Sequence, residues 1–178
     1  MNNKIDIYKH MNHIMSQLKT GILITCRLND RVNSLTVAWG QVGFEWNKLI
    51  FTAFIRTGRY THDMIVNKKE FTVNIPMEDK AGKILGFCGT KSGRDYDKAK
   101  ELGLTFIESE NVDVPGIKEL PLTLECKVLY SQLQDKNNIP DDLKTEFYPQ
   151  DAGSDYHSAN RDFHTMFIAE IVGAYIAE

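Results

Sequence analysis

A chain of 178 residues, 42% hydrophobic and 25% charged, has the make-up of one globular domain with room for a full core. Its formal net charge of −3 comes from 21 basic and 24 acidic residues that are interspersed along the chain, which points away from a nucleic-acid surface. No apolar run is long enough to span a bilayer, the start Met1-Asn2-Asn3-Lys4-Ile5-Asp6 lacks the apolar core of a signal peptide, and three cysteines without a CxxC pair argue against a disulfide scaffold, so a cytoplasmic, reducing setting is expected.

The first periodic segment places Ile7, Met11, Ile14, Met15 and Leu18 at helical spacing, which predicts a short amphipathic helix. His10 and His13 lie i,i+3 on it, a spacing that suits a metal pair, but no acidic or cysteine companion is near. The β-branched run from Gly21 to Leu28 predicts a strand buried on both faces, and Asn29-Asp30-Arg31 a turn. Asn33-Ser34-Leu35-Thr36-Val37-Ala38-Trp39-Gly40 mixes strand formers with small polar residues, and Gly43 and Trp46 follow. Small residues let a flat ligand approach the backbone closely. The competing reading is a strand pair joined by a glycine-rich bend, with both tryptophans in the core.

The apolar run from Leu49 to Ile55 predicts a buried strand. It passes through Arg56-Thr57-Gly58-Arg59 into a pattern in which Tyr60, Met64 and Ile65 share one side, so a helix starts near Tyr60, with Thr57 or Thr61 as its cap. A helix start with nearby arginines suits a phosphate, through unpaired backbone N–H groups and bidentate guanidinium donors. An ordinary turn with solvated arginines explains the same residues.

Glu70 to Ile75 alternates as another strand and stops at Pro76. Ala81, Ile84, Leu85 and Cys88 mark a helical stripe, and Gly89-Thr90-Lys91-Ser92-Gly93-Arg94-Asp95 is a second basic, glycine-bearing loop. Its spacing is not that of a P-loop. A helix from Tyr96 to Leu102 is closed by Gly103. Leu120 to Ser131 alternates as a long strand, and Phe163 to Ile176, with His164 and Glu170, is the last one. Between them, 140–162 reads as an irregular polar-aromatic segment of the kind that is often functional. Cys26 and Cys126 read as buried thiols; Cys88 either packs in the core or faces a ligand. No Ser-His-Asp, paired-carboxylate or metal-ligand constellation and no G-x-G-x-x-G fingerprint is present.

From spacing alone, this is a mostly β domain for a flat anionic ligand. Several stretches carry a resemblance further: Asn33 to Gly40, Phe54 with the Arg59-Tyr60-Thr61 turn, Glu70 to Asn74, Cys88 to Asp95, and His164 to Val172. In their order and spacing they resemble the flavin reductase-like, flavoredoxin-type family over residues 20–176. The resemblance implies a β-barrel with peripheral helices, specifically an FMN-binding split barrel. It implies one FMN-binding domain over 1–178 and a homodimer with flavin near the subunit interface. It also implies that Asn33, Ser34, Thr36, Ala38 and Trp39 line the isoalloxazine and ribityl chain, and that Arg59, Tyr60 and Thr61 hold the phosphate. By the same resemblance Lys91, Ser92 and Arg94 extend that site, Phe54 and Arg56 belong to the cofactor-binding set, and His164 lies near the reactive side of the flavin as the catalytic residue. Gly58 departs from the family, where many relatives have serine. The activity implied is oxidoreduction, with NAD(P)H as electron source or, in a carrier, a redox partner protein.

Overall fold

The computed structural model describes residues 2–78, 81–151, 153 and 160–178. After strand β1 (Asn2–Lys4) and a single 3-10 turn, helix α1 (Met11–Thr20) leads into strands β2 (Ile22–Leu28), β3 (Arg31–Val37), β4 (Gly40–Glu45) and β5 (Lys48–Arg56). Helix α2 (Tyr60–Lys68) and strand β6 (Glu70–Ile75) follow. Helices α3 (Gly82–Thr90) and α4 (Lys98–Leu102) and the small ladder of β7 (Phe106–Ile107) and β8 (Gly116–Ile117) come next. The long strand β9 (Leu122–Leu133), helix α5 (Asp141–Phe147) and the last strand β10 (His164–Ala177) complete the chain.

The main ladder runs β3-β2-β6-β9-β10-β5-β4, with β1 also on β10, and its pairs are antiparallel. Strands β3 and β4 follow each other in the chain yet stand at opposite ends of this ladder. The expected barrel is therefore split: the ladder is not closed at the seam between β3 and the β4–β5 hairpin. The outer edge of β3 keeps backbone groups that a ligand can use.

The sheet's inner face and two helices bury the larger core. Phe51, Phe71 and Phe167 come from three strands, Ile14 and Leu18 from α1, and Met64 and Ile65 from α2. The helical spacing read from the sequence is the spacing that buries those residues. A smaller core of Leu23, Ala81, Cys88, Ile117 and Leu120 lies under α3. Through the sheet runs a buried polar chain centred on Asn74. Its Nδ2 donates to Thr25 and Thr72, and its Oδ1 accepts from the Ile117 N–H at 2.9 Å. Buried polar groups of this kind persist because they are paired.

Several expectations change. Neither tryptophan is in the core. Trp39 is 38% and Trp46 57% exposed. Trp46 and Asn47 both have positive φ (49° and 56°) and form the two-residue tip of the β4–β5 hairpin. Gly40 and Gly43 lie inside β4 rather than in a bend. Within 140–162, residues Asp141–Phe147 form α5, so that stretch is not irregular. Asp155, Tyr156 and His157 lie outside the described residues. All three cysteines are free and buried, Cys88 by core packing. His13 is tied to the Pro76 carbonyl at 2.7 Å, and no metal-binding cluster occurs among the described residues. No helix among them is long and apolar enough to cross a membrane. Gly103, with φ 65°, closes α4 as expected.

Candidate functional site

The seam opens into a cleft between the end of β3 and the end of β5. It is lined by Thr36, Ala38, Trp39, Phe54, Arg56, Arg59 and His164, with Leu35, Val37 and Ile55. It is an open cleft with a cavity volume of about 170 Å³. Backbone and apolar groups dominate its β3 wall. The Thr36 hydroxyl is already donated to the Leu85 carbonyl at 2.6 Å.

Arg59 joins this cleft to a second, smaller lobe lined by Asn33, Gly58, Arg59, Tyr60, Thr61, Lys91, Ser92 and Lys98. The lobe sits at the start of α2. Arg59 occupies the cap position in extended conformation and makes no capping bond. Neither Thr57 nor Thr61 is the cap: Thr61 accepts from Asn33 Nδ2 at 2.8 Å, and Thr57 donates to Asp162. First-turn N–H groups of a helix have no intrahelical acceptor, and the dipole adds positive potential there. Burial pulls the guanidinium pKa of Arg59 down, as it does for Arg56. The basic loop is pinned to β3 because Gly93 packs directly on the Asn33 side chain, where a Cβ would collide.

A further layer behind Trp39 and His164 comes from Phe147 of α5 and from Tyr148. Arg56 holds it there, donating to the carbonyls of Phe147 (2.8 Å) and Asp162 (2.7 Å), with its guanidinium 4.9 Å from the Tyr148 ring centre. Phe147 meets Trp39 edge-on at 5.2 Å. The Tyr148 hydroxyl is 2.8 Å from His164 Nδ1, and the His164 ring lies 4.7 Å from Trp39. His164 is 6% exposed. Burial, then Arg56 and Arg59, push its pKa down to about 3, so the imidazole is neutral at neutral pH.

The structure thus gathers Thr36, Ala38, Trp39, Phe54, Arg56, Arg59 and His164 around one lobe, and Asn33, Arg59, Tyr60, Thr61, Lys91 and Ser92 around the other. Ser34 turns its hydroxyl to Thr25 at 2.9 Å, inside the sheet. Arg94 spends donors on the Gly58 carbonyl and Asp63 and stacks beside Tyr60. The Lys91 ammonium lies 5.5 Å from the Tyr96 ring centre. Sequence reading missed Lys98, whose Nζ donates to the carbonyls of Ser34 (2.8 Å) and Cys88 (2.9 Å) while lining the second lobe. The 140–162 segment, expected to be functional, supplies Phe147 and Tyr148, which pack against Trp39 and His164 of the cleft lining. Their signal was Pro140 followed by Asp141-Asp142, a helix-start pattern.

In donor chemistry these residues suit a flat group carrying a terminal anion; the second lobe as it stands encloses about 10 Å³. The first lobe is walled by rings and backbone. The second carries a helix start, Arg59 and the buried ammonium of Lys98.

Comparison with known proteins gives the same answer for the fold. The model of the flavin reductase like domain matches residues 15–178. An uncharacterized protein of Archaeoglobus fulgidus is 35% identical over 100 residues, 56% of this chain and 55% of that one. The chain's matches span less than two thirds of the curated relatives' length. Flavoredoxin of Desulfovibrio vulgaris (Miyazaki F) superposes with a TM-score of 0.65 at 23% identity, over 89% of this chain and 69% of that one. An FMN-binding domain of a flavin reductases-like enzyme from Shewanella baltica gives 0.66 at 18% identity, over 99% and 77%.

Proposed function

The chain belongs to the flavin reductase-like family, and from that premise we propose that it binds FMN non-covalently in the two-lobed cleft and acts as an NAD(P)H-dependent oxidoreductase of the flavin reductase type. The carrying observation is Arg59, which lines both the cleft at the seam and the basic lobe at the start of α2. When bound, the flavin supplies hydride or electron transfer. The chain's own residues bind and orient it. The edge of β3, Trp39 and Phe54 would hold the ring, and Arg59 with the start of α2, Lys91 and Ser92 would hold the phosphate. Phe147 and Tyr148, fastened by Arg56, keep water from one side of the cleft. His164 offers a neutral imidazole, which hydrogen-bonds without adding charge. NAD(P)H, for which the chain carries no nucleotide fingerprint, would bind only transiently.

A second reading is an electron carrier that keeps FMN and exchanges electrons with partner proteins; the likeness to flavoredoxin favours it. Stopped-flow absorbance of the FMN-loaded protein separates the two. Rapid bleaching by NADH or NADPH with multiple turnovers is expected. No bleaching by either nucleotide, with reduction by a protein donor, would make it a carrier.

We also propose a homodimer. Strand β4 is an end strand, and Phe44 (63% exposed), Trp46 (57%), Tyr8 (59%) and Met15 (49%) stand on or near it. A second copy is the occupant proposed for this surface, and a specific dimer buries about 1,200 Å² or more. Light scattering at micromolar concentration should give twice the chain mass; a monomer with flavin bound would refute it.

A further inference from the structure

The two ring nitrogens of His164 meet different surroundings. Nδ1 lies 2.8 Å from the Tyr148 hydroxyl. Nε2 has no hydrogen-bond partner among the described residues, yet it is not one of their sealed, unpaired polar atoms. His164 lines the cleft, and Nε2 is the nitrogen left to serve it. The imidazole is neutral at neutral pH, so it carries one proton, and the bond made by one nitrogen decides which of the two has it. The direction of the Tyr148–His164 bond therefore fixes what the cleft receives, an N–H or a lone pair.

Tyr148 is held for this contact. It is 6% exposed, its ring stacks on Phe163 with centres 4.5 Å apart, and the Arg56 guanidinium lies 4.9 Å from its centre. Its hydroxyl has one proton and two acceptors near it, His164 Nδ1 at 2.8 Å and Gln134 Oε1 at 3.3 Å. The second distance is beyond the usual ~2.5–3.0 Å of an O–H···O bond. An imidazole nitrogen is also a better acceptor than an amide oxygen, and a phenol a better donor than an imidazole N–H. Burial pushes the Tyr148 pKa up, against the pull of Arg56, so the phenol keeps its proton at neutral pH.

We propose that Tyr148 is a positioning residue: its hydroxyl donates to His164 Nδ1 and holds the neutral imidazole in the Nε2–H tautomer, so that the cleft presents a hydrogen-bond donor there. The tautomer needs only the chain; its use in the reaction rests on the flavin reading above. A selection rule follows. A molecule seated against His164 has to bring an acceptor to Nε2, of the kind that a carbonyl or quinone oxygen supplies. An N–H or O–H aimed at that atom would leave two donors facing each other. In this state Nε2 has no lone pair to take a proton, so His164 is not a general base toward the cleft.

The test is proton–nitrogen correlation NMR of the histidine side chains at pH 7, on the full chain labelled with the heavy nitrogen isotope. His164→Gln assigns the His164 signals among the five histidines. Wild type should show a protonated, pyrrole-type Nε2 and a pyridine-type Nδ1 shifted upfield by its hydrogen bond. Tyr148→Phe keeps the ring that packs on Phe163 and removes only the hydroxyl. In that variant the Nδ1 signal should move downfield, to the position of a nitrogen that accepts no bond, while the other histidines keep theirs. An unchanged Nδ1 signal overturns the positioning role, since a Tyr148 that only fills space would give that result. A wild-type His164 protonated at Nδ1 overturns the tautomer, and this measurement needs no variant to fold. Failure of wild type to bind FMN or riboflavin overturns the flavin reading and the use of this donor in the reaction. It is distinguishable from the other results because the imidazole signals are read without flavin.

Discussion

Replacing Arg59 with alanine should weaken FMN binding roughly ten- to 150-fold, since losing a hydrogen bond to a charged group costs about 1.5–3 kcal/mol and each ~1.4 kcal/mol is tenfold. Arg94→Ala should cost much less. Both arginines lie on basic, glycine-bearing turns, but the structure sets them apart. Arg59 lines both lobes of the cleft, donates from Nη1 to the Gly89 carbonyl at 3.2 Å and is drawn down in pKa by burial, whereas Arg94 lines neither lobe. The Arg94 guanidinium bonds the Gly58 carbonyl (3.1 Å) and Asp63 (2.7 Å). Riboflavin, without a phosphate, should lose little affinity from Arg59→Ala. The circular dichroism spectrum should stay as in wild type, because Arg59 makes no part of either apolar core. Equal weakening of FMN and riboflavin would show Arg59 shaping the cleft rather than holding the phosphate. Unchanged FMN binding would move the phosphate to the 89–95 loop.

Acid should destabilise the protein through His164. Its pKa is about 3 in the fold and 6.5 in an unfolded chain. Between those values the unfolded chain holds one more proton than the folded one, so stability rises with pH there. The contribution is complete above about pH 6.5 and is lost as pH falls toward 3. At pH 5 the loss is about 2 kcal/mol relative to neutral pH, at ~1.36 kcal/mol per pH unit. Urea unfolding of wild type and His164→Gln at pH 7 and pH 5 checks this, because the carboxylates that titrate in the same range are common to both. Wild type should lose about 2 kcal/mol more than the variant on acidification. Equal losses would show that His164 is readily protonated in the fold.

Much of the fold was legible because its elements bury what their periodicity says they bury. The runs 21–28, 49–55 and 70–75 became β2, β5 and β6, and the Tyr60-Met64-Ile65 pattern became α2. The placement of the tryptophans was not legible. Trp46 and Asn47 take left-handed backbone conformations at a hairpin tip, and no hydrophobicity rule anticipates tryptophan there. Helix α5 was hidden because its Leu143 is exposed, so it has almost no apolar stripe, and only its proline-acidic start marks it.

The site was legible where chemistry and turn coincide, at Gly58-Arg59-Tyr60-Thr61. It was illegible at Lys98, which in sequence sits beside Asp97 and Lys100 and looks like a solvated helix face. Its burial is created by the packing of α4 on β3 and α3, which brings two carbonyls to its ammonium. Ser34 fails in the opposite sense. Its neighbours reach the cleft, but strand alternation sends its own hydroxyl to Thr25.

The central claim is that one cleft holds a flavin ring at the seam of the sheet and its phosphate at the start of α2. Titration of the wild-type protein with FMN and with riboflavin at pH 7, followed by flavin fluorescence, tests it most directly. The account predicts one FMN per chain and an affinity for FMN at least about tenfold above that for riboflavin, the worth of a charged hydrogen bond. Equal affinity for the two would contradict it, because the lobe of Arg59 and Lys98 would then hold no phosphate.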